Sequence, residues 1–154
     1  MVYFGTGGRN ACIAILWQQD SCSYLVVFCE TGYFPTALLE LAKSVELVRN
    51  MRRMYVDPDK IVVEGCSAGG HLAASYGVFW HEDFVSNKLQ VSKDILKPNG
   101  MILSYPVITS GEFAHRGSFN NLLRDQYTEE MLEKTSLEKQ VNEYVPRAFY
   151  LAYL

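Results

Sequence analysis

Short apolar runs alternate with helical periods along most of this chain. Tyr24 to Cys29 (Tyr-Leu-Val-Val-Phe-Cys) and Ile61 to Val63 are continuous apolar runs, and Gly100 to Tyr105 is a third, mostly apolar stretch of strand length. The first suits the middle of a parallel sheet, the second predicts a buried strand reaching Glu64, and the third predicts another parallel strand ended by Pro106. Between the first two, Leu38, Leu41, Val45, Val48 and Met51 recur at helical spacing, and Glu40, Lys43, Glu46 and Arg49 take the opposite side. That pattern predicts a helix from Ala37 to about Tyr55, with Thr36 as its N-cap. Asp57-Pro58-Asp59-Lys60 turns the chain into the next strand. Ala68, Gly69, Gly70, Ala73, Ala74 and Ser75 then predict a second helix, Ser67 to about Trp80, whose small residues let it lie close to the sheet. Alternating strands and helices predict an α/β class, a mostly parallel sheet with helices on both faces in three layers.

The pattern weakens at both ends. Val2 to Phe4 is a short strand candidate, followed by the glycine-rich Gly5-Thr6-Gly7-Gly8. Asp94 to Asn99 reads as a connector. From Thr109 to Glu143 glycines and polar residues come first, then two short helical pieces, Glu129 to Glu133 after Thr128 and Leu137 to Val141 after Thr135, with Thr135 to Glu138 spaced as a capping box. Residues 109–143 read as an insertion after the C-terminal end of a strand. Pro146 to Ala152 predicts the start of one more sheet strand.

Composition excludes several classes of function. The chain has 154 residues, 49% of them hydrophobic, which suffices for one domain with a core. Its net charge of -3 and scattered Lys and Arg give no basic stripe for nucleic acid or anionic membrane. The apolar stretches Ala11 to Trp17 and Tyr24 to Cys29 are separated by Gln18-Gln19-Asp20 and neither is long enough to span a bilayer. No basic leader or cleavage signature is present. The cysteines, Cys12, Cys22, Cys29 and Cys66, form no C-x-x-C pair and three lie on apolar runs, so a zinc site or disulfide framework is not expected and a reducing cytoplasm is. No metal or cofactor is implied.

The chemistry is concentrated where the run Ile61 to Val63 stops. Gly65-Cys66-Ser67-Ala68-Gly69 is a G-x-S-x-G sequence with a strand before it and a helix after it. On a turn that sharp a serine is held in a strained conformation, its hydroxyl raised beyond the sheet edge, and the flanking glycines remove side chains that would collide. Ser67 is therefore the candidate nucleophile. The amide of Ala68, at the helix N-terminus, is the candidate oxyanion donor, with Gly7 and Gly8 as a candidate second donor pair. His71 lies one turn further along the same helix, where a hydrogen-bonded packing role is expected. His81 reads as a surface residue at a helix end, and His115 follows too soon after Ser67 to serve as the base.

Gly65-Cys66-Ser67-Ala68-Gly69-Gly70-His71-Leu72-Ala73, with Phe34-Pro35-Thr36-Ala37-Leu38-Leu39-Glu40 upstream and Leu103-Ser104-Tyr105-Pro106-Val107-Ile108 downstream, resembles the bacterial α/β-hydrolase esterases of the acetyl-esterase and acetylxylan-esterase type. The resemblance runs from about Gly32 to Pro146, and because such hydrolases carry substrate-covering elements after a strand's C-terminal end it implies that residues 109–143 are a candidate cap. It implies a serine hydrolase of small acyl esters, often on acetylated carbohydrate, acting through an acyl-enzyme on Ser67. It also implies a triad in the order Ser, Asp or Glu, His, and no residue after Ser67 matches the acid or the base. The chain is thus expected to be an α/β-hydrolase domain truncated at its C-terminal end. Two further readings stay open: a catalytically incomplete or non-catalytic remnant, and a peptidase of the same fold.

Overall fold

A computed structural model describes residues 33–50 and 57–152. The strand expected at Tyr24 to Cys29, the end of the first helix beyond Asn50, and Gly7 and Gly8 lie outside them. The described elements in chain order are α1 (Thr36–Asn50), β1 (Val62–Cys66), α2 (Ser67–Phe79), α3 (Asp83–Leu89), α4 (Lys93–Leu96), β2 (Gly100–Ser104), α5 (Arg116–Leu123), α6 (Glu129–Thr135) and β3 (Ala148–Leu151), with single 3-10 turns at Arg124–Gln126 and Leu137–Lys139.

The three strands form one sheet in the order β1-β2-β3, parallel throughout. Val62 pairs with Gly100 and Cys66 with Ser104, so the C-terminal ends of β1 and β2 finish level. Parallel neighbours need a crossover, and α2, α3 and α4 supply it. Val63, Met101 and Leu103 point to one face and are buried, whereas Val62, Glu64, Cys66, Ile102 and Ser104 on the other face are half-exposed. The buried face lies under α2, where the missing side chain of Gly77 leaves room for Met101. Leu38, Leu41, Val45 and Val48 are all buried on α1, which packs on α2, α3 and α4. Full burial of one such side chain is worth about 1.5–3 kcal/mol. Both long helices therefore sit on one side of the sheet, and the helices expected on the opposite face are not among the described residues.

Details of the local expectations change. Thr36 is the first helical residue of α1 rather than its cap, and Tyr33 and Pro35 accept from the amides of Ala37 and Leu39. The connector predicted at Asp94 to Asn99 overlaps α4, which runs over Lys93–Leu96. Thr128 does cap α6, its hydroxyl accepting from the Met131 amide at 3.2 Å. The Thr135 capping box does not form. The Thr135 hydroxyl instead donates back to the Met131 carbonyl at 2.6 Å, and Ser136 reaches Glu138.

Residues 109–143 are bound closely to the body. Phe119, Leu123, Leu132 and Leu137 join the main core. The Phe34 amide donates to the Leu122 carbonyl at 2.9 Å, and Lys134 Nζ lies over the rings of Phe34 and Phe84. Beyond them β3 lies alongside β2 with Phe149, Tyr150 and Leu151 all exposed.

Candidate active site

Cys66, in extended conformation at φ −121°, ends β1, and Ser67 starts α2 at φ 52°. A non-glycine residue in the left-handed region is strained, and here the strain comes from turning a strand into a helix with no linking residue. Gly65 makes the turn possible: a Cβ there would lie 2.1 Å from the carbonyl oxygen of Gly69. Ser67 and Ala68 are both exposed, at the C-terminal edge of the sheet. The amide of Ala68 belongs to the first turn of α2, whose N–H groups have no acceptor within the helix.

The end of β2 builds the neighbouring wall. Tyr105 follows Ser104 as Ser67 follows Cys66, and it too has a positive φ, 35°. Pro106 then packs into the space left by Gly70, where a Cβ would come within 2.7 Å of the proline Cβ. The Val107 amide donates to the Ser67 carbonyl at 3.1 Å. Two strained residues thus end adjacent strands side by side. Neither the position of Tyr105 nor the role of Gly70 was among the sequence-based candidates, although a Tyr-Pro pair ending a strand and a second glycine after the motif were their visible signals.

His71 is buried, as a packing histidine should be. Its Nδ1 lies 2.8 Å from the Val107 carbonyl oxygen and its ring meets Phe119 edge-on at 5.6 Å. Burial pushes its pKa down to about 4 against the opposing pull of the Val107 carbonyl, so it is neutral at pH 7. A neutral ring facing a carbonyl carries its hydrogen on Nδ1 and donates it. His81 is not a simple surface residue: it stacks on Tyr144 at 4.4 Å, while Trp80 donates to the Tyr144 carbonyl at 3.0 Å. His115 is exposed and caps α5, with Nδ1 2.8 Å from the Ser118 hydroxyl oxygen. Among the described residues, none of the three is hydrogen-bonded to Ser67.

Among the described residues no group of three or more His, Cys, Asp or Glu side chains is placed to hold a metal ion, and no helix is long and apolar enough to cross a membrane. A cleft of about 370 Å³ lined by Phe79, Glu82, Glu130, Glu133, Lys134 and Gln140 lies at the opposite end of α2 from Ser67. Cys66, beside Ser67, is a half-exposed free thiol.

Several known proteins are similar to this chain. Endo-1,4-beta-xylanase B of Butyrivibrio fibrisolvens is 37% identical over 113 residues, which make up 73% of this chain and 18% of that protein. The acetyl ester-xyloside bifunctional hydrolase of Caldicellulosiruptor lactoaceticus superposes with a TM-score of 0.64 at 32% identity, over 77% of this chain and 44% of that one. Carboxylesterase Cest-2923 of Lactobacillus plantarum, at 22% identity and a TM-score of 0.59 over 84% of this chain and 46% of that one, shares the fold. The chain spans less than half the length of each. Residues 32–151 match the alpha/beta hydrolase fold family model, and the chain belongs to that family.

Proposed function

We propose that this chain carries the nucleophile half of a serine esterase that removes small acyl groups, acetyl above all, from alcohols such as carbohydrate hydroxyls. The observation that supports this most is Ser67 itself: exposed, at φ 52°, on the bare junction of a parallel strand and a helix. Strain of that kind costs on the order of 1–3 kcal/mol and persists where it serves a site. The names of two similar proteins, an acetyl ester-xyloside hydrolase and a xylanase, favour acetylated plant polysaccharide as the source of the ester.

In this reading the Ser67 hydroxyl gives its proton to a base and its oxygen bonds to the acyl carbon. The negative charge that develops on the carbonyl oxygen is met by the Ala68 amide, with Gly7 and Gly8 as the second donor pair. The alcohol leaves with a proton, and water then releases the acid and restores Ser67. Residues 109–143 form the cap, since Val107, bonded to the Ser67 carbonyl, leads directly into them. Neither acid nor base is assigned among these residues, and the engaged Nδ1 atoms of His71 and His115 favour the second reading, that the 154-residue chain alone is catalytically incomplete.

Mass spectrometry after fluorophosphonate treatment tests the nucleophile. A single adduct on Ser67, absent in Ser67→Ala, is the result expected when a base is supplied. Labelling spread over other serines, or unaffected by Ser67→Ala, would overturn the assignment.

A further inference from the structure

We infer that His71 is a positioning residue that fixes the Tyr105–Val107 segment against the Ser67 turn and thereby sets the wall beside the nucleophile. The inference takes its purpose from reading Ser67 as the nucleophile, but its geometry stands apart from that reading. Two hydrogen bonds hold the two peptide units that flank the Val107 Cα. Its amide donates to the Ser67 carbonyl at 3.1 Å, and its carbonyl accepts from His71 Nδ1 at 2.8 Å. Ser67 and His71 are one helical turn apart, so α2 grips Val107 at both ends, and the segment cannot slide without breaking one of the two bonds. Pro106 is seated against Gly70 in the same stretch, which leaves Tyr105 at φ 35° as the residue that absorbs the bend.

The grip reaches further than Val107. Ile108 accepts from the Leu137 amide at 3.1 Å, and Ser110 is bonded through its amide to Ser136 Oγ at 3.0 Å and through its hydroxyl to the Leu132 carbonyl at 3.1 Å. Phe119 of α5 packs on the imidazole. The region after β2 is therefore strapped to the same few residues that His71 holds.

A second feature separates His71 from an ordinary packing residue. Among the described residues its buried Nε2 has no hydrogen-bond partner. An apolar side chain would spare the unpartnered Nε2 but would take the donor from the Val107 carbonyl, so what the imidazole offers here is the hydrogen on Nδ1.

The test uses the full chain with three versions of residue 71. In His71→Asn the side-chain amide nitrogen can replace Nδ1 as donor to Val107; in His71→Leu no donor remains. Amide hydrogen exchange followed residue by residue should show the Val107 and Leu137 amides exchanging roughly tenfold faster in His71→Leu, with Ala42 and Val45 of α1 unchanged, and close to wild type in His71→Asn. A uniform acceleration across all amides in His71→Leu, or an Asn variant no better than Leu, would show a merely structural contribution and overturn the inference. Should His71→Leu fail to fold, the nitrogen-15 shifts of the wild-type ring decide: a hydrogen on Nδ1 supports the grip and a hydrogen on Nε2 removes it. None of these readouts depends on chemistry at Ser67, so an unreactive serine would defeat the proposed esterase and leave this inference standing.

Discussion

A Cβ on Gly65 would sit 2.1 Å from the carbonyl oxygen of Gly69, 2.5 Å from its carbonyl carbon and 2.8 Å from the Gly70 nitrogen. All three are backbone atoms of α2, so relief requires moving the helix away from the strand. Gly65→Ala should therefore destabilise by about 1–3 kcal/mol or more, and Gly65→Val further. Gly77→Ala is the contrast. Its new Cβ meets the flexible end of Met101, and alanine is favoured over glycine within a helix by about 1 kcal/mol, so the two effects should nearly cancel. Urea unfolding of the two alanine variants measures the difference, and equal stabilities would count against the close strand-helix contact.

Ser67 at φ 52° makes a separate prediction about strain. Alanine cannot relieve a left-handed conformation and glycine can. Ser67→Gly should be more stable than Ser67→Ala by about 1 kcal/mol, the usual advantage of glycine where φ is positive. Both should be inactive. A stability order with alanine ahead would mean that the turn relaxes without the serine.

The buried His71 also gives stability a pH dependence. Its folded pKa, about 4, lies below its ordinary 6.5, so between those values the unfolded chain binds a proton that the native chain does not. Stability is complete above pH 6.5 and is lost as pH falls toward 4, by on the order of 3 kcal/mol at most. The carboxylates of Asp57, Asp83 and Glu138 are held below their ordinary values, and their contribution falls away only at lower pH. Unfolding free energies at pH 5 and pH 7.5 should thus differ much less in His71→Asn than in the wild type. Equal differences would place the titration elsewhere.

The sheet and the two long helices were legible because their signals are local. Ile61 to Val63 and Met101 to Leu103 are short apolar runs, α1 carries its stripe at helical spacing, and the turn at Ser67 announces itself through Gly65. What could not be read depends on contacts between distant residues. Gly70 matters because Pro106 approaches it, and the packing role expected of His71 did not reveal its partner Val107, each pair more than thirty positions apart. α5, with Phe119 and Leu123 as its only buried residues, has too short an apolar pattern to stand out from a loop. Thr135 fits a capping box by spacing, but α6 runs through it and its hydroxyl turns back to the Met131 carbonyl, a contact within the preceding turn that the Thr-to-Glu spacing does not signal.

The chain as given should hydrolyse a short-chain aryl acetate weakly or not at all, because His71 Nδ1 is committed to Val107, His81 is stacked on Tyr144 at the far end of α2, and His115 Nδ1 is bonded to Ser118. Without a base the serine keeps its proton, although oxyanion donors and binding alone can leave residual acceleration. Supplying the later part of the fold should restore turnover. The C-terminal portion of a similar esterase, joined after Phe149 so that β3 continues in register beside β2, would bring an acid and a histidine in the order this family requires. The gain should be large, since triad members act as a unit, and it should vanish in Ser67→Ala. Robust turnover by the unfused chain, abolished by His115→Ala, would instead make the exposed His115 the base and give this chain a working site of its own.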